Sequence, residues 1–158
     1  MAGPKASSNS SGNARRPATE LIDPELLAQV GLFADLTSSE LIGLARLMRP
    51  RACARDEVIY LRGDPSNAFY VIASGAVKIA LPARDGKEII LRRLGRGDFH
   101  GELALLDDQP RVADAIATEP SVLLTLRRDA FRHFLEEHPT AATRLLAAMS
   151  HYLRRPVP

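Results

Sequence analysis

The spacing of apolar residues changes near Glu57 from a helical period to a period of two, and this change constrains the fold more than any other feature. Short apolar runs then follow one another, separated by the turn sequences Gly63-Asp64-Pro65, Ser74-Gly75 and Asp85-Gly86. Alternating runs joined by such residues are typical of antiparallel hairpins. No intervening segment is long enough for the crossover helix that parallel strands require. The middle of the chain is therefore predicted to form antiparallel β structure.

Helices are predicted on both sides of these strands. A short helix is expected at Pro24–Val30, and Thr37 with Glu40 fits a capping box for a helix that ends at Pro50. Asp129 is the expected N-cap of a later helix, and Pro139 suits the first position of the last helix. The predicted strands are Val58–Arg62, Phe69–Ile72, Val77–Leu81, Glu88–Leu94 and Val122–Leu126. The expected fold is α+β and mainly β: an antiparallel β-roll or jelly-roll barrel flanked by N- and C-terminal helices.

Composition limits the classes of function. The 158 residues suit one domain, with 46% apolar and 25% charged residues. The net charge of +2 gives no global case for nucleic-acid binding, and no apolar run approaches the ~20 residues that span a bilayer. The N-terminus lacks the apolar region of a secretory signal, and the single cysteine, Cys53, cannot form an internal disulfide. We expect a cytoplasmic protein with a disordered tail at 1–20, one domain at 21–155 and a short tail at 156–158.

The stretch 98–117 carries the chemistry that suggests a function. It passes from a glycine-rich turn into the helix-like Gly101–Leu106, reverses at Pro110 and enters an apolar run behind Arg111. This order brings newly started backbone amides, the carboxylate of Glu102 and one guanidinium close together, which suits a ligand with an anion and sugar hydroxyls. An alternative is that Glu102 and Arg111 simply form a surface salt bridge. No pairing of a nucleophile with a base is apparent, so no enzyme is predicted.

These residues carry a resemblance to a known family. The segment Gly101-Glu102-Leu103-Ala104-Leu105 followed by Pro110-Arg111 is similar to the cyclic nucleotide-binding domain of bacterial Crp/Fnr-type regulators, exemplified by the cyclic AMP receptor protein. The same domain occurs in protein kinase A regulatory subunits and cyclic-nucleotide-gated channels. The resemblance runs from about Leu26 to Arg155. Supporting segments are Gly63-Asp64, Phe69–Gly75, the Asp85-Gly86 hairpin and Gly95–Phe99.

The resemblance implies a role for each matching residue. Glu102 would accept a hydrogen bond from the ribose 2′-hydroxyl, and Arg111 would pair with the cyclic phosphate. Backbone amides near Gly101, Leu103 and Ala104 would complete the cradle, and Val112 would follow Arg111 along it. The apolar wall beside the sugar and base would consist of Ile79, Leu91 and Leu94.

Three departures from the family pattern bear on the ligand. Val112 lacks the hydroxyl that many cyclic-GMP-binding members carry, which favours cyclic AMP over cyclic GMP. Asp114 replaces a hydroxyl residue, and its charge would oppose binding if it faced the phosphate but not if it faced outward. The third departure is the ending: Pro156 follows the last helix where the regulators continue into a helix-turn-helix. Apart from these three, His100 stands where an apolar residue is usual, and we expect a neutral, partly buried side chain.

Three hypotheses follow from the sequence. The first is a cyclic AMP sensor whose C-terminal helices shift on binding and act on a second copy or an effector protein, without binding DNA itself. The second is a truncated or divergent regulator whose helix-turn-helix is missing from this chain. The third is an interaction scaffold whose pocket has lost its ligand.

Overall fold

The computed structural model describes residues 22–154, so the two predicted tails lie outside the described residues. The elements are α1 (Pro24–Gln29), a 3₁₀ turn (Gly31–Phe33), α2 (Ser38–Leu47), β1 (Arg49–Cys53), β2 (Val58–Tyr60), β3 (Ala68–Ser74), β4 (Val77–Pro82), β5 (Glu88–Leu94), β6 (Phe99–His100), a second 3₁₀ turn (Glu102–Leu105), β7 (Asp114–Ala117), β8 (Ser121–Arg127), α3 (Arg128–Glu137) and α4 (Pro139–Leu153).

Two four-stranded sheets form the centre of the described chain. Their strand orders are β1-β8-β3-β6 and β2-β7-β4-β5, and the paired strands run antiparallel. The Asp85-Gly86 hairpin joins β4 to β5, where the Ala83 amide donates to the Lys87 carbonyl at 2.7 Å. The predicted fold, a mainly β roll with helices on both sides, is confirmed.

Strand β3 of the first sheet is buried on both faces. Phe69 and Val71 of β3 pack in an apolar cluster with the helices, while Tyr70 and Ile72 pack in a second cluster with residues of the other sheet. All residues from Ala68 to Ile72 are therefore buried. A strand covered on both faces has a continuous apolar sequence rather than a clean alternation.

The helix that precedes the sheets begins as predicted. The Thr37 hydroxyl accepts from the Glu40 amide at 3.2 Å, and the Glu40 carboxylate accepts from the Thr37 amide at 2.9 Å, which confirms the capping box. Glu40 also accepts from Arg144 of α4 at 2.9 and 3.0 Å. Burial raises the pKa of Glu40, but the hydrogen bonds from Thr37 and the charge of Arg144 outweigh it and lower the pKa. This carboxylate therefore ties α2 to α4.

Two predicted helix boundaries are wrong. The helix α2 ends at Leu47, and Pro50 lies instead in β1, a strand at the edge of its sheet where a missing amide is tolerated. The N-cap of α3 is Arg127 and not Asp129, because β8 leads into the helix without a loop. Asp129 lies in the first turn, where its carboxylate accepts from the Ala130 amide at 2.8 Å.

The last helix packs against its own chain. Leu145 and Ala148 of α4 are buried in the helical cluster, and the Tyr152 ring meets the Phe99 ring edge-on at 5.3 Å. Leu146 and Leu153 remain exposed. Most of the apolar face expected on this helix is thus covered within the domain.

Candidate functional site

A cavity of about 340 Å³ lies beside the second 3₁₀ turn. It brings together seven of the nine predicted site residues, namely Ile79, Gly101, Glu102, Leu103, Ala104, Arg111 and Val112. The remaining lining residues are Tyr60, Ser66, His100, Asp107, Gln109, Pro110 and Ala113. The strands and turn that the sequence separates therefore meet at one concave site.

The structure does not bring Leu91 and Leu94 into this cavity. Ile79 pairs with Arg92 and Ala80 with Ile90, so Leu91 is the extra residue of a bulge on β5 and is 51% exposed. Leu94 is buried in the cluster between the sheets. A bulge changes which residues face inward, and a strict alternation along β5 does not foresee it.

Arg111 is held at the cavity by its backbone and its side chain. Its amide donates to the Asp64 carbonyl at 2.9 Å, and its carbonyl accepts from the Gly63 amide at 2.8 Å, which fixes it against the turn after β2. The side chain is buried, with Nη2 donating to the Ala68 carbonyl at 2.7 Å. Its Cζ lies 4.0 Å from the centre of the Tyr60 ring, a cation–π distance.

The guanidinium of Arg111 keeps unused donor capacity. Its Nε is buried and has no hydrogen-bond partner, and Nη1 makes only a long contact of 3.5 Å with the Gly101 carbonyl. Within residues 22–154, no salt bridge joins this guanidinium to a carboxylate. A buried cation without an anionic partner is costly, and an incoming anion at this point relieves that cost.

Gly101 permits the close approach of the guanidinium. Its φ is +77°, and a Cβ built there meets Arg111 Nη1 at 2.8 Å and the Ala68 carbonyl at 3.3 Å. A larger residue at this position would cost folding free energy, both because the backbone is left-handed and because its Cβ would be crowded. The glycine is therefore part of the site geometry and not only a turn residue.

Glu102 lines the cavity as a half-buried residue. In the described part of the chain it forms no salt bridge with Arg111, so the surface-pair alternative does not hold. The Ala104 amide, expected in the cradle, donates to the Gly101 carbonyl at 3.1 Å within the 3₁₀ turn. The carboxylate and the guanidinium thus face one cavity as separate groups.

Tyr60, Tyr70 and His100 form an aromatic cluster beside the guanidinium of Arg111. His100 is 2% exposed, shares a hydrogen bond of 2.9 Å between Nδ1 and the Tyr60 hydroxyl, and stacks on Tyr70 with ring centres 5.2 Å apart. Burial, and after it the charges of Arg111 and Arg92, lower the pKa of His100 to about 3. Burial also raises the pKa of Tyr60. Both rings are therefore neutral at physiological pH, and the Nε2 atom of His100 has no partner.

The two departures beside Arg111 have different positions. Val112 is 66% exposed at the cavity rim. The Asp114 carboxylate accepts from the Arg62 amide at 2.7 Å and does not line the cavity. This hydrogen bond joins β7 to the segment after β2 and holds the carboxylate outside the cavity. Asp114 therefore does not place a negative charge where an anion would bind.

Sequence reasoning missed Tyr60 as a site residue. The one local signal for a site role of Tyr60 is its position at the end of β2, close to Gly63-Asp64 in the sequence. Its contact with Arg111 depends on the β2–β7 pairing, which shifts register between Val58 and Tyr60.

Within residues 22–154 there is no helix long and apolar enough to cross a membrane. The same residues hold no cluster of side chains suited to a metal ion.

Comparisons with known proteins agree with this geometry. Residues 50–138 match the family described as the cyclic nucleotide-binding domain. A CRP-like cAMP-activated global transcriptional regulator of Mycobacterium tuberculosis is 32% identical over 131 residues, which cover 83% of this chain and 58% of the relative. The chain thus spans little more than half the length of that regulator.

Solved structures show the same fold. The N-terminal domain of a transcriptional regulator from Streptomyces coelicolor A3(2) has a TM-score of 0.77 and 33% identity, covering 82% of this chain and 90% of that one. The regulatory domain of Toxoplasma gondii PKA, crystallised with cAMP, has a TM-score of 0.67 and 28% identity, and the match covers 77% of this chain and 46% of that one. The chain therefore belongs to the cyclic nucleotide-binding domain family, as its sequence resemblance predicted.

Proposed function

We propose that this chain binds a cyclic nucleotide in the cavity beside the second 3₁₀ turn and acts as a regulatory module, not as an enzyme. One observation carries the proposal: the buried guanidinium of Arg111 has an unpartnered Nε at the cavity. A cyclic phosphate supplies the missing anion and acceptor together. Nη1, with its long contact to Gly101, is available as a second donor.

Glu102 supports a ribose beside that phosphate. A carboxylate only accepts hydrogen bonds, and a 2′-hydroxyl donates one. Because Glu102 has no cationic side-chain partner among the described salt bridges, its oxygens remain free for such a donor. The two charged groups thus match the two polar parts of a cyclic nucleotide.

Cyclic AMP is the preferred ligand in this proposal. Val112 offers no hydroxyl to the amino group of guanine, so cyclic GMP gains nothing at that position. The mycobacterial relative is described as cAMP-activated, and the Toxoplasma gondii domain was crystallised with cAMP. Both support the same choice.

Ligand binding acts on the C-terminal helices through Leu105. This residue ends the second 3₁₀ turn and packs in the same buried cluster as Phe131 and Phe134 of α3. A ligand that draws the turn toward Arg111 therefore moves α3 and α4 with it. The output in this proposal is a changed contact with a second copy or an effector protein in the cytoplasm.

Calorimetric titration with cyclic AMP, cyclic GMP and adenosine tests the proposal. We expect one cyclic AMP per chain and about tenfold weaker binding of cyclic GMP. Adenosine lacks the phosphate and is expected to give no measurable heat. Absence of binding by both cyclic nucleotides at millimolar concentration would overturn the proposal and favour a scaffold with an empty pocket.

A further inference from the structure

Arg128 is the first residue of α3, and its guanidinium contacts the back of the cavity wall. Its Nη1 lies within hydrogen-bond distance of three backbone carbonyls, those of Ser66 at 3.2 Å, Ala104 at 3.5 Å and Asp107. All three of these residues line the cavity. A single side chain therefore joins two separate cavity segments to the start of a helix.

The backbone of Arg128 strengthens the same connection. Its amide donates to the Asn67 carbonyl at 2.9 Å. Ala104 and Asp107 lie in and just after the second 3₁₀ turn, where carbonyls lack partners inside the turn. A charged donor satisfies such carbonyls more strongly than a neutral one does.

The position is unfavourable for the helix itself. A cation in the first turn opposes the helix dipole. The neighbouring Arg127 pairs with Asp129 at 3.3 Å, and both side chains are largely exposed, so that pair contributes little. Arg128 is half-buried, and its guanidinium contacts carbonyls outside α3, so these side-chain contacts serve the cavity wall and not the helix.

We propose that Arg128 is a positioning residue that fixes the cavity wall to the start of α3 and so transmits occupation of the cavity to that helix. The inference rests on the proposed function for its ligand, and it adds a polar connection to the apolar one made by Leu105. If Arg128 is removed, the turn still packs through Leu105, but its carbonyls no longer hold the helix start.

Hydrogen exchange in the ligand-free protein tests the connection without any nucleotide. The variants are Arg128→Met, Arg128→Lys and the control Arg132→Met, which makes the same change at an exposed site one turn further along α3. The amides to follow are those of Leu106 and Asp107, which both donate to the Leu103 carbonyl, at 3.0 and 3.1 Å. We expect about tenfold faster exchange in Arg128→Met, partial recovery in Arg128→Lys and no change in the control.

Exchange at β3 and β8 amides serves as the internal reference for folding. Equal rates at Leu106 and Asp107 in wild type and Arg128→Met would overturn the inference. If exchange in Arg128→Met is faster throughout, including β3 and β8, then Arg128→Lys decides, because it keeps a donor with the same charge. Faster exchange in Arg128→Lys at Leu106 and Asp107 but not at β3 and β8 supports the inference, and uniformly faster or unchanged exchange overturns it.

Addition of cyclic AMP tests transmission. In the wild type we expect slower exchange in α3 on saturation; in Arg128→Met we expect about tenfold weaker binding and loss of that slowing even at saturation. Equal slowing of α3 in both proteins would overturn the transmission role. If the wild type itself binds no cyclic nucleotide, the proposed function fails, while the ligand-free exchange still decides whether Arg128 fixes the wall.

Discussion

Replacement of Arg111 by methionine separates a ligand-binding role from a structural one. Methionine keeps an unbranched apolar stem beneath the Tyr60 ring and removes only the charge and the donors. In a structural ion pair, loss of one buried partner costs about 3–5 kcal/mol of folding stability. Arg111 has no carboxylate partner within residues 22–154, so this large loss is not expected.

The stability change can be worked from the contacts. The variant leaves the Ala68 carbonyl without its donor at 2.7 Å, a cost of about 1–3 kcal/mol, and loses the cation–π contact, about 1–2 kcal/mol. Against this, it removes a buried and uncompensated cation, which relieves several kcal/mol. We expect the free energy of unfolding without ligand to stay within about 1 kcal/mol of wild type or to rise.

The affinity change has the opposite sign. Two donors of Arg111, Nε and Nη1, are available to a phosphate, and each charge-assisted hydrogen bond is worth about 1.5–3 kcal/mol. Loss of both weakens cyclic AMP binding by roughly 3–6 kcal/mol, or a factor of at least about a hundred. Urea denaturation gives the stability and calorimetry the affinity, with the exposed Arg62→Met as the matched control.

The reasoning is refuted by the reverse result. If Arg111→Met loses more than about 3 kcal/mol of stability and binds cyclic AMP as tightly as wild type, the arginine is a structural residue.

Three further predictions concern single side chains. Gly101→Ala should lower the free energy of unfolding by about 1–2 kcal/mol, because φ is +77° and the new Cβ meets Arg111; an unchanged urea midpoint would contradict this. His100 has a pKa of about 3 in the fold, below its unfolded value, so wild-type stability should fall as pH drops below about 6.5, by up to about 1.4 kcal/mol per pH unit. His100→Phe should remove that slope between about pH 6.5 and about pH 4.5 in urea titrations, and parallel curves for the two proteins would disprove it. Glu40→Gln should lower the free energy of unfolding by about 1–3 kcal/mol, because it weakens the pair with the partly exposed Arg144. A urea midpoint equal to that of the wild type would rule this out.

Much of the fold was predictable because local signals and tertiary structure agree. The capping box at Thr37 needs only the residues that form it. The Asp85-Gly86 hairpin likewise contains its own turn, with Gly86 at φ +80°. Such short-range features do not depend on distant partners.

Features that depend on distant pairing were not predictable in the same way. The strand β1 contains Pro50 and forms only because β8 pairs with it from far along the chain. The bulge at Leu91 turns a residue outward that simple alternation places inward. Both depend on register, which neither sequence segment contains by itself.

The site shows the same division. Glu102 and Arg111 were predictable from one short stretch and its family resemblance. The contacts of Arg111 with Tyr60 and Ala68, and those of Arg128 with Ser66, join segments more than 40 residues apart in the sequence. Whether Asp114 faces the ligand also depended on a partner, the Arg62 amide, 52 residues away.

The central claim is that a cyclic phosphate pairs with the unpartnered Nε of Arg111. The most direct measurement is the ¹H–¹⁵N resonance of that Nε–H during titration with cyclic AMP, assigned by its absence in Arg111→Met. The account predicts a downfield proton shift that saturates at one nucleotide per chain. A resonance that stays unmoved at millimolar cyclic AMP, or that stays unmoved while other signals shift, would contradict it.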